Sequence, residues 1–302
     1  MRRALGVVIL VTWATVAMAA PPGTWRYRKP EKKVKVAVIA GSIGAWPSGS
    51  FSDFIGGACP AIEVKNLSEV GLGAVDLKLK YKREVIDNRG LRLSDKGVEH
   101  WLLASGGLNS IGNAELTIQH TADLFALAHG RGVKVVALSV TPWGGDKDRR
   151  WQGLRALETF DKTRRVVDFV LGRLSRAEAL GKSGAPAWTA AELPDVGVNL
   201  FDAPALRQTD AKTRDVALLR KALGQKKAMA TRHADLDAAA RRAAEVPRWF
   251  LKRELRSFDP IHPNTEGHRA IATIACPSLP KSWQCDCAVI PRLVWKGHIE
   301  RP

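Results

Sequence analysis

Five apolar, mostly β-branched runs alternate with helix-forming stretches over most of the chain, and that alternation constrains the fold more than any single motif. Residues 34–39 (VKVAVI), 61–67 (AIEVKNL), 101–104, 133–140 (VKVVALSV) and 196–201 (VGVNLF) read as strands. Between them lie a short helical stretch at 51–57, a charged one at 76–85, a helix at 114–129 and a long helical periodicity over 154–180, with a last helix at 265–274. Strands that are apolar on both faces must be covered on both faces. Regular strand–helix alternation therefore predicts a three-layer α/β/α sandwich around a five-stranded parallel sheet.

In such a sheet the turns that follow the strands gather on one edge, which is where ligands bind. The first strand ends in Ala40-Gly41-Ser42-Ile43, the second in a stretch containing Ser68, Gly71 and Gly73, and the third in Gly106-Gly107-Leu108-Asn109-Ser110. Glycines there let backbone N–H groups approach a ligand. Near the end of the chain stands Asp259-Pro260-Ile261-His262-Pro263. Each proline biases the residue before it toward extended geometry, so Asp259 and His262 sit on a stiff turn rather than inside a helix. A carboxylate beside a histidine can accept one ring N–H and leave the other nitrogen free as a base. That base requires a nucleophile from elsewhere in the chain.

The four turns taken together resemble the conserved blocks of the SGNH, or GDSL-type, serine hydrolase superfamily, over about residues 34–274. Ser42 matches the nucleophile of the first block, and Gly71 matches the second-block glycine whose N–H belongs to the oxyanion hole. Asn109 matches the amide donor of the third block, and Asp259 and His262 match the Asp-x-x-His block. Gly41 and Ser110 stand where the family has aspartates. The resemblance implies a flavodoxin-like sheet and a carboxylic ester hydrolase with the triad Ser42, His262 and Asp259. It further implies an oxyanion hole made by Ser42, Gly71 and Asn109, and no metal or organic cofactor. Substrates in such a family include lipid esters, thioesters and O-acetylated sugars. A catalytically silent relative that uses the same cleft to hold a glycan or cell-envelope partner is the other reading. His100, His120, His129, His233, His268 and His298 lack a comparable setting and are read as surface or core residues.

Residues 1–19 have the basic start, apolar run and Ala-x-Ala ending of a secretory signal, and 20–33 read as a flexible basic leader before a hydrolase-like domain over 34–302. A secreted or periplasmic protein without a membrane span after signal cleavage is expected. Export permits disulfides among Cys59, Cys276, Cys285 and Cys287. A Cys285–Cys287 bridge across one residue would be strained, which favours pairing Cys59 and Cys276 each with one of those two. The net charge of +17 implies attraction to anionic surfaces such as acidic glycans, envelope polymers or lipid. No nucleic-acid-binding motif accompanies it. The basic, helix-prone insertion at 203–257 reads as an amphipathic helix pair or lid. Trp46 and Trp143 follow turns on the ligand edge, where they would pack inward or stack on sugar rings.

Overall fold

The computed structural model describes residues 24–226, 233 and 235–300, so the expected signal sequence at 1–19 lies outside the described residues. The sheet comprises β1 (Val34–Ala40), β2 (Ile62–Asn66), β3 (Glu99–Ser105), β4 (Lys134–Leu138) and β5 (Val196–Val198), in the order β2-β1-β3-β4-β5 and parallel throughout. This is the flavodoxin-like order, in which the direction of winding reverses between β1 and β3. The crevice at that reversal opens at the carboxyl ends of these two strands, which lead into Ser42 and Asn109.

Every residue of β1 is buried, and successive side chains serve opposite layers. Val34, Val36 and Val38 pack with α1 (Phe51–Ala58), α8 (Thr265–Ala275) and the C-terminal tail, whereas Ala37 and Ile39 face α2 (Ala74–Tyr81), α3 (Ala114–His129) and α4 (Gly153–Val170). The two-residue period of a strand thus fills two cores at once. Lys35, buried in the same strand, is paired with Glu63 of β2 at 2.7 Å.

Several elements differ from the sequence expectation for identifiable reasons. The periodicity over 154–180 is two helices, α4 and α5 (Arg176–Leu180). Gly172, at φ +65°, ends the first, and the Ser175 hydroxyl caps the second by accepting the Glu178 N–H. The helix expected at 76–85 begins at Ala74 and widens after Tyr81 into a π turn, Lys82–Ile86. β5 stops at Val198 because the Asn199 side chain turns the chain by accepting the Asp202 N–H. The leader expected to be flexible is packed over its described part. Trp25 and Tyr27 contact the α2–α4 core, and the N–H groups of Arg28 and Lys29 bond to the Glu63 carboxylate.

Residues of the insertion form α6 (Val216–Gln225) and α7 (Leu236–Glu245), whose Leu219, Leu223 and four alanines close over Leu157 of α4. Disulfides Cys59–Cys285 and Cys276–Cys287 staple the tail to the ends of α1 and α8. The tail ends in a small hairpin of β6 (Val294–Trp295) and β7 (Ile299–Glu300). Among the described residues, no helix is long and apolar enough to cross a membrane.

Candidate active site

Ser42 lies on a tight turn after β1, closed by the Ala45 N–H donating to the Gly41 carbonyl. Neighbours on both sides hold this turn. The Asn66 amide donates to the Gly44 carbonyl at 2.7 Å, and Ser68 Oγ accepts the N–H of Ala40 at 3.1 Å. A Cβ at Gly44 would fall 2.4 Å from both Ala40 Cβ and Ser68 Oγ, so only glycine permits this approach. From α8, Thr265 Oγ1 donates to the Ser48 carbonyl, and the ring of His268 accepts the Phe51 N–H. Asn66 and Thr265 were not singled out in the sequence, and Ser68 only as part of the turn after the second strand. A polar residue at a strand end or helix start is too common to carry a signal alone.

The Asp259–His262 turn reaches Ser42 from the other direction. Asp259 Oδ1 accepts the N–H groups of Ile261 and His262 at 2.7 and 2.8 Å, while Oδ2 lies 2.7 Å from His262 Nδ1. His262 Nε2 is 2.8 Å from Ser42 Oγ. With the carboxylate accepting at Nδ1–H, Nε2 carries the lone pair that faces the hydroxyl. Burial alone would push the Asp259 carboxyl up. The His262 N–H, the His262 ring and the Ile261 N–H outweigh it and hold the group below its ordinary value, and so ionised. The turn is seated by the Gly144 N–H donating to the Pro260 carbonyl and by the Asn264 amide donating to the Glu254 and Arg256 carbonyls.

Beside Ser42 is a small cleft lined by Gly41, Leu72, Gly106, Gly107, Asn109, Val140 and Thr141, among others. Asn109 Nδ2 donates one hydrogen to the Leu72 carbonyl at 3.1 Å, which leaves its second N–H available. Gly41 makes room for this contact, since a Cβ there would stand 3.3 Å from the Leu72 oxygen and 3.6 Å from Asn109 Nδ2. Ser110 ties two of the turns together: its Oγ accepts the Ala74 N–H and donates to the Gly107 carbonyl. The two positions that depart from the family blocks thus each have a local structural use.

Gly71 adjoins Leu72 at φ +85° but does not itself line the cleft. Among the described residues, the backbone N–H groups of Ser42 and Gly71 take part in no hydrogen bond. Ser42, His262 and Asp259 therefore form one hydrogen-bonded chain, Asn109 shares the cleft with Ser42, and Gly71 stands at its margin.

Of the two roles open to Trp46 and Trp143, the structure shows packing. Trp143 is fully buried against Trp151, and Trp46, half-buried, stacks on His268 with centroids 5.7 Å apart. The exposed ring at this site is Phe258, 87% accessible and stacked on the His262 imidazole at 6.0 Å. α6 and α7 contribute no residue to the Ser42 cleft.

No family model matches the chain, and no curated protein matches it. Among solved structures, a GDSL-like lipase from Bacteroides thetaiotaomicron is similar at 13% identity, covering 82% of this chain and 87% of that chain with a TM-score of 0.46. An acetylxylan esterase from Geobacillus stearothermophilus is similar at 13% identity over 84% and 95% of the two chains, with a TM-score of 0.40. A lipase/acylhydrolase from Enterococcus faecalis is similar at 14% identity over 87% and 98%, with a TM-score of 0.38. These are similarities of chain path, and what the site can do follows from its own side chains.

Proposed function

We propose that the protein is a serine hydrolase that cleaves carboxylic esters of small acyl groups carried on a glycan or related envelope polymer. The observation that supports this most is the continuous hydrogen-bonded chain from Asp259 through His262 to Ser42. In this reading His262 Nε2 takes the Ser42 proton as Oγ bonds to the ester carbonyl carbon. Asp259 orients the imidazole and stabilises its charged form. The carbonyl π electrons move to oxygen, and that oxyanion is met by the Ser42 and Gly71 N–H groups and the Asn109 amide. As the tetrahedral species collapses, the bond to the alcohol breaks and His262 returns the proton to the departing oxygen. Water then attacks the acyl-enzyme, again deprotonated by His262, releasing the carboxylic acid and regenerating Ser42.

A short acyl group suits the space available. The cleft beside Ser42 holds about 20 Å³, room for roughly one water-sized group such as a methyl. Two disulfides are in keeping with an oxidising, exported setting.

The test is hydrolysis of p-nitrophenyl acetate, butyrate and octanoate by the full chain and by Ser42→Ala and His262→Ala. Turnover that falls steeply with chain length and is lost in both variants is expected. Absence of turnover, or turnover untouched by both substitutions, would overturn the reading.

A further inference from the structure

On the far side of the Asp259 turn from Ser42 lies a second, larger cleft of about 650 Å³, within the range of small-ligand sites. Its walls come from the loop after β4, the chain after β5 and residues 247–260. Four cations line it, Lys147, Lys212, Arg253 and Arg256, against two carboxylates, Asp146 and Asp259. Both carboxylates are already committed. Asp146 Oδ1 lies 3.1 Å from Arg214 Nη2, and Asp259 is engaged by His262. The cations are not. Among the described residues, Lys147, Lys212 and Arg253 form no ion pair. Arg256 spends its Nε on the Leu251 carbonyl at 2.7 Å, while its Nη2 is buried without a hydrogen-bond partner. A buried guanidinium nitrogen without a partner leaves positive charge uncompensated behind this wall. Burial and then the nearby charge of Arg253 both act against the charged form of Arg256, and an anion between them would relieve both.

The position of this cleft relative to the triad gives it meaning. When His262 returns a proton to the departing oxygen, the alcohol portion of the ester must lie over the imidazole. Phe258 stacks on that imidazole, is exposed to solvent and also lines the basic cleft, which Asp259 and Pro260 continue. The path from the scissile oxygen outward thus runs over His262, across an aromatic ring and into a basic pocket.

We propose that this pocket is a subsite for an anionic group, a carboxylate or phosphate, borne on the alcohol portion of the ester, with the intervening ring or polyol resting on Phe258. The inference deepens the hydrolase reading and rests on it for the direction of the alcohol. It explains where on the molecule part of the large positive charge is put to use, because a concave basic wall concentrates anions more than dispersed lysines do.

The experiment measures binding of three non-ester probes to the full chain at low salt by calorimetry: tetragalacturonate, a glycerol phosphate tetramer and neutral xylotetraose. A triple variant, Lys147→Ala with Lys212→Ala and Arg253→Ala, changes only exposed side chains. At least one acidic probe is expected to bind about tenfold or more tighter than xylotetraose, and the triple variant is expected to lose most of that difference. Whichever acidic probe is preferred identifies carboxylate or phosphate as the source. Equal binding of acidic and neutral probes, or a preference that survives in the triple variant, overturns the proposal. Because binding needs no turnover, this result stands apart from the aryl-ester assay. Ser42-dependent hydrolysis without acidic preference removes the subsite and leaves the hydrolase, whereas acidic preference without hydrolysis removes the hydrolase and leaves an anion-binding cleft.

Discussion

Two histidines six residues apart, His262 on the turn before α8 and His268 inside that helix, show how the same side chain is put to opposite uses. His262 is partly exposed and lies 2.7 Å from a carboxylate and 2.8 Å from a hydroxyl. His268 is fully buried between Trp46 and Phe51, and its Nδ1 accepts a backbone N–H. Burial, and then the nearness of His262, drive its pKa down to about 3, so it stays neutral. An imidazole becomes a base when it has a charged partner and solvent access, and a packing element when it has neither. His268 also fixes the loop beyond Ser42, so the structural histidine supports the site that the other one would operate.

The largest expected effect belongs to the turn. His262→Ala and Ser42→Ala should each lower kcat/KM on an aryl acetate by about 10⁴-fold or more, since members of a triad fail together. Neither should lower the melting temperature as much as His268→Ala, which opens a cavity beneath the Ser42 loop. Calorimetric scans of the three variants beside their rate constants check this. A His262 variant that melted as early as the His268 variant would erase the distinction between the two residues. Next in size is Asn109→Ala, expected to cost about a hundredfold in kcat with little change in KM, because its free N–H would be used on the oxyanion alone. An unchanged kcat would take Asn109 out of the oxyanion hole.

How much of this was legible in the sequence follows the same division. The parallel sheet and the placing of Ser42 and Asn109 on one edge could be anticipated because alternating strands and helices gather the turns after the strands there, whereas the strand order and the pairing with Asp259 and His262 came from the family resemblance. Helix α3, expected at about 114–129 after the Asn109 turn, spans Ala114–His129. His268 was recognisable only as a histidine without a motif. Its burial depends on Trp46 and Phe51 arriving from more than 200 positions away, which no local pattern encodes. The same holds for Phe258. The sequence assigned it no role, and its exposure over His262 follows from how residues 247–260 wrap past the loop after β4. Trp46 and Trp143 could be read as packing or as stacking on a ligand, and they pack, because large rings near a sheet edge bury themselves when partners are available.

A stability measurement sharpens the comparison further. His268 in the folded chain binds a proton only near pH 3, whereas in the unfolded chain it does so near its ordinary 6.5. Between those values the unfolded state binds the extra proton, so stability is fully present above about pH 6.5 and is lost as the pH falls. The slope approaches about 1.4 kcal/mol per pH unit. Asp259, also depressed, contributes a loss in the same direction, but from its ordinary value near 3.8 downward. Urea midpoints between pH 6.5 and 4.5 therefore report on His268 together with His100, which burial and the nearby Lys35 charge also hold below its ordinary value. Replacing His268 by Phe, which keeps the stacking between Trp46 and Phe51, should flatten the curve in that window. Equal slopes in the wild type and His268→Phe would mean that the acid sensitivity resides elsewhere.

The smallest effect tests whether the exposed ring over His262 belongs to the site or merely decorates it. At 87% exposure Phe258 buries too little area to matter for folding, so Phe258→Ala should leave the melting temperature where it is. If the ring carries the alcohol portion of the substrate, its loss removes one stacking contact, worth about 0.5–1.5 kcal/mol. That corresponds to a rise of roughly two- to tenfold in KM for an acetylated saccharide, with kcat nearly constant because the contact is the same in the ground and transition states. Phe258→Trp should restore or lower KM, a rescue that a purely steric role would not produce. A fall in kcat with KM unchanged would instead assign the ring to holding the imidazole, placing Phe258 with His268 among the residues that position the site and not among those that meet the substrate.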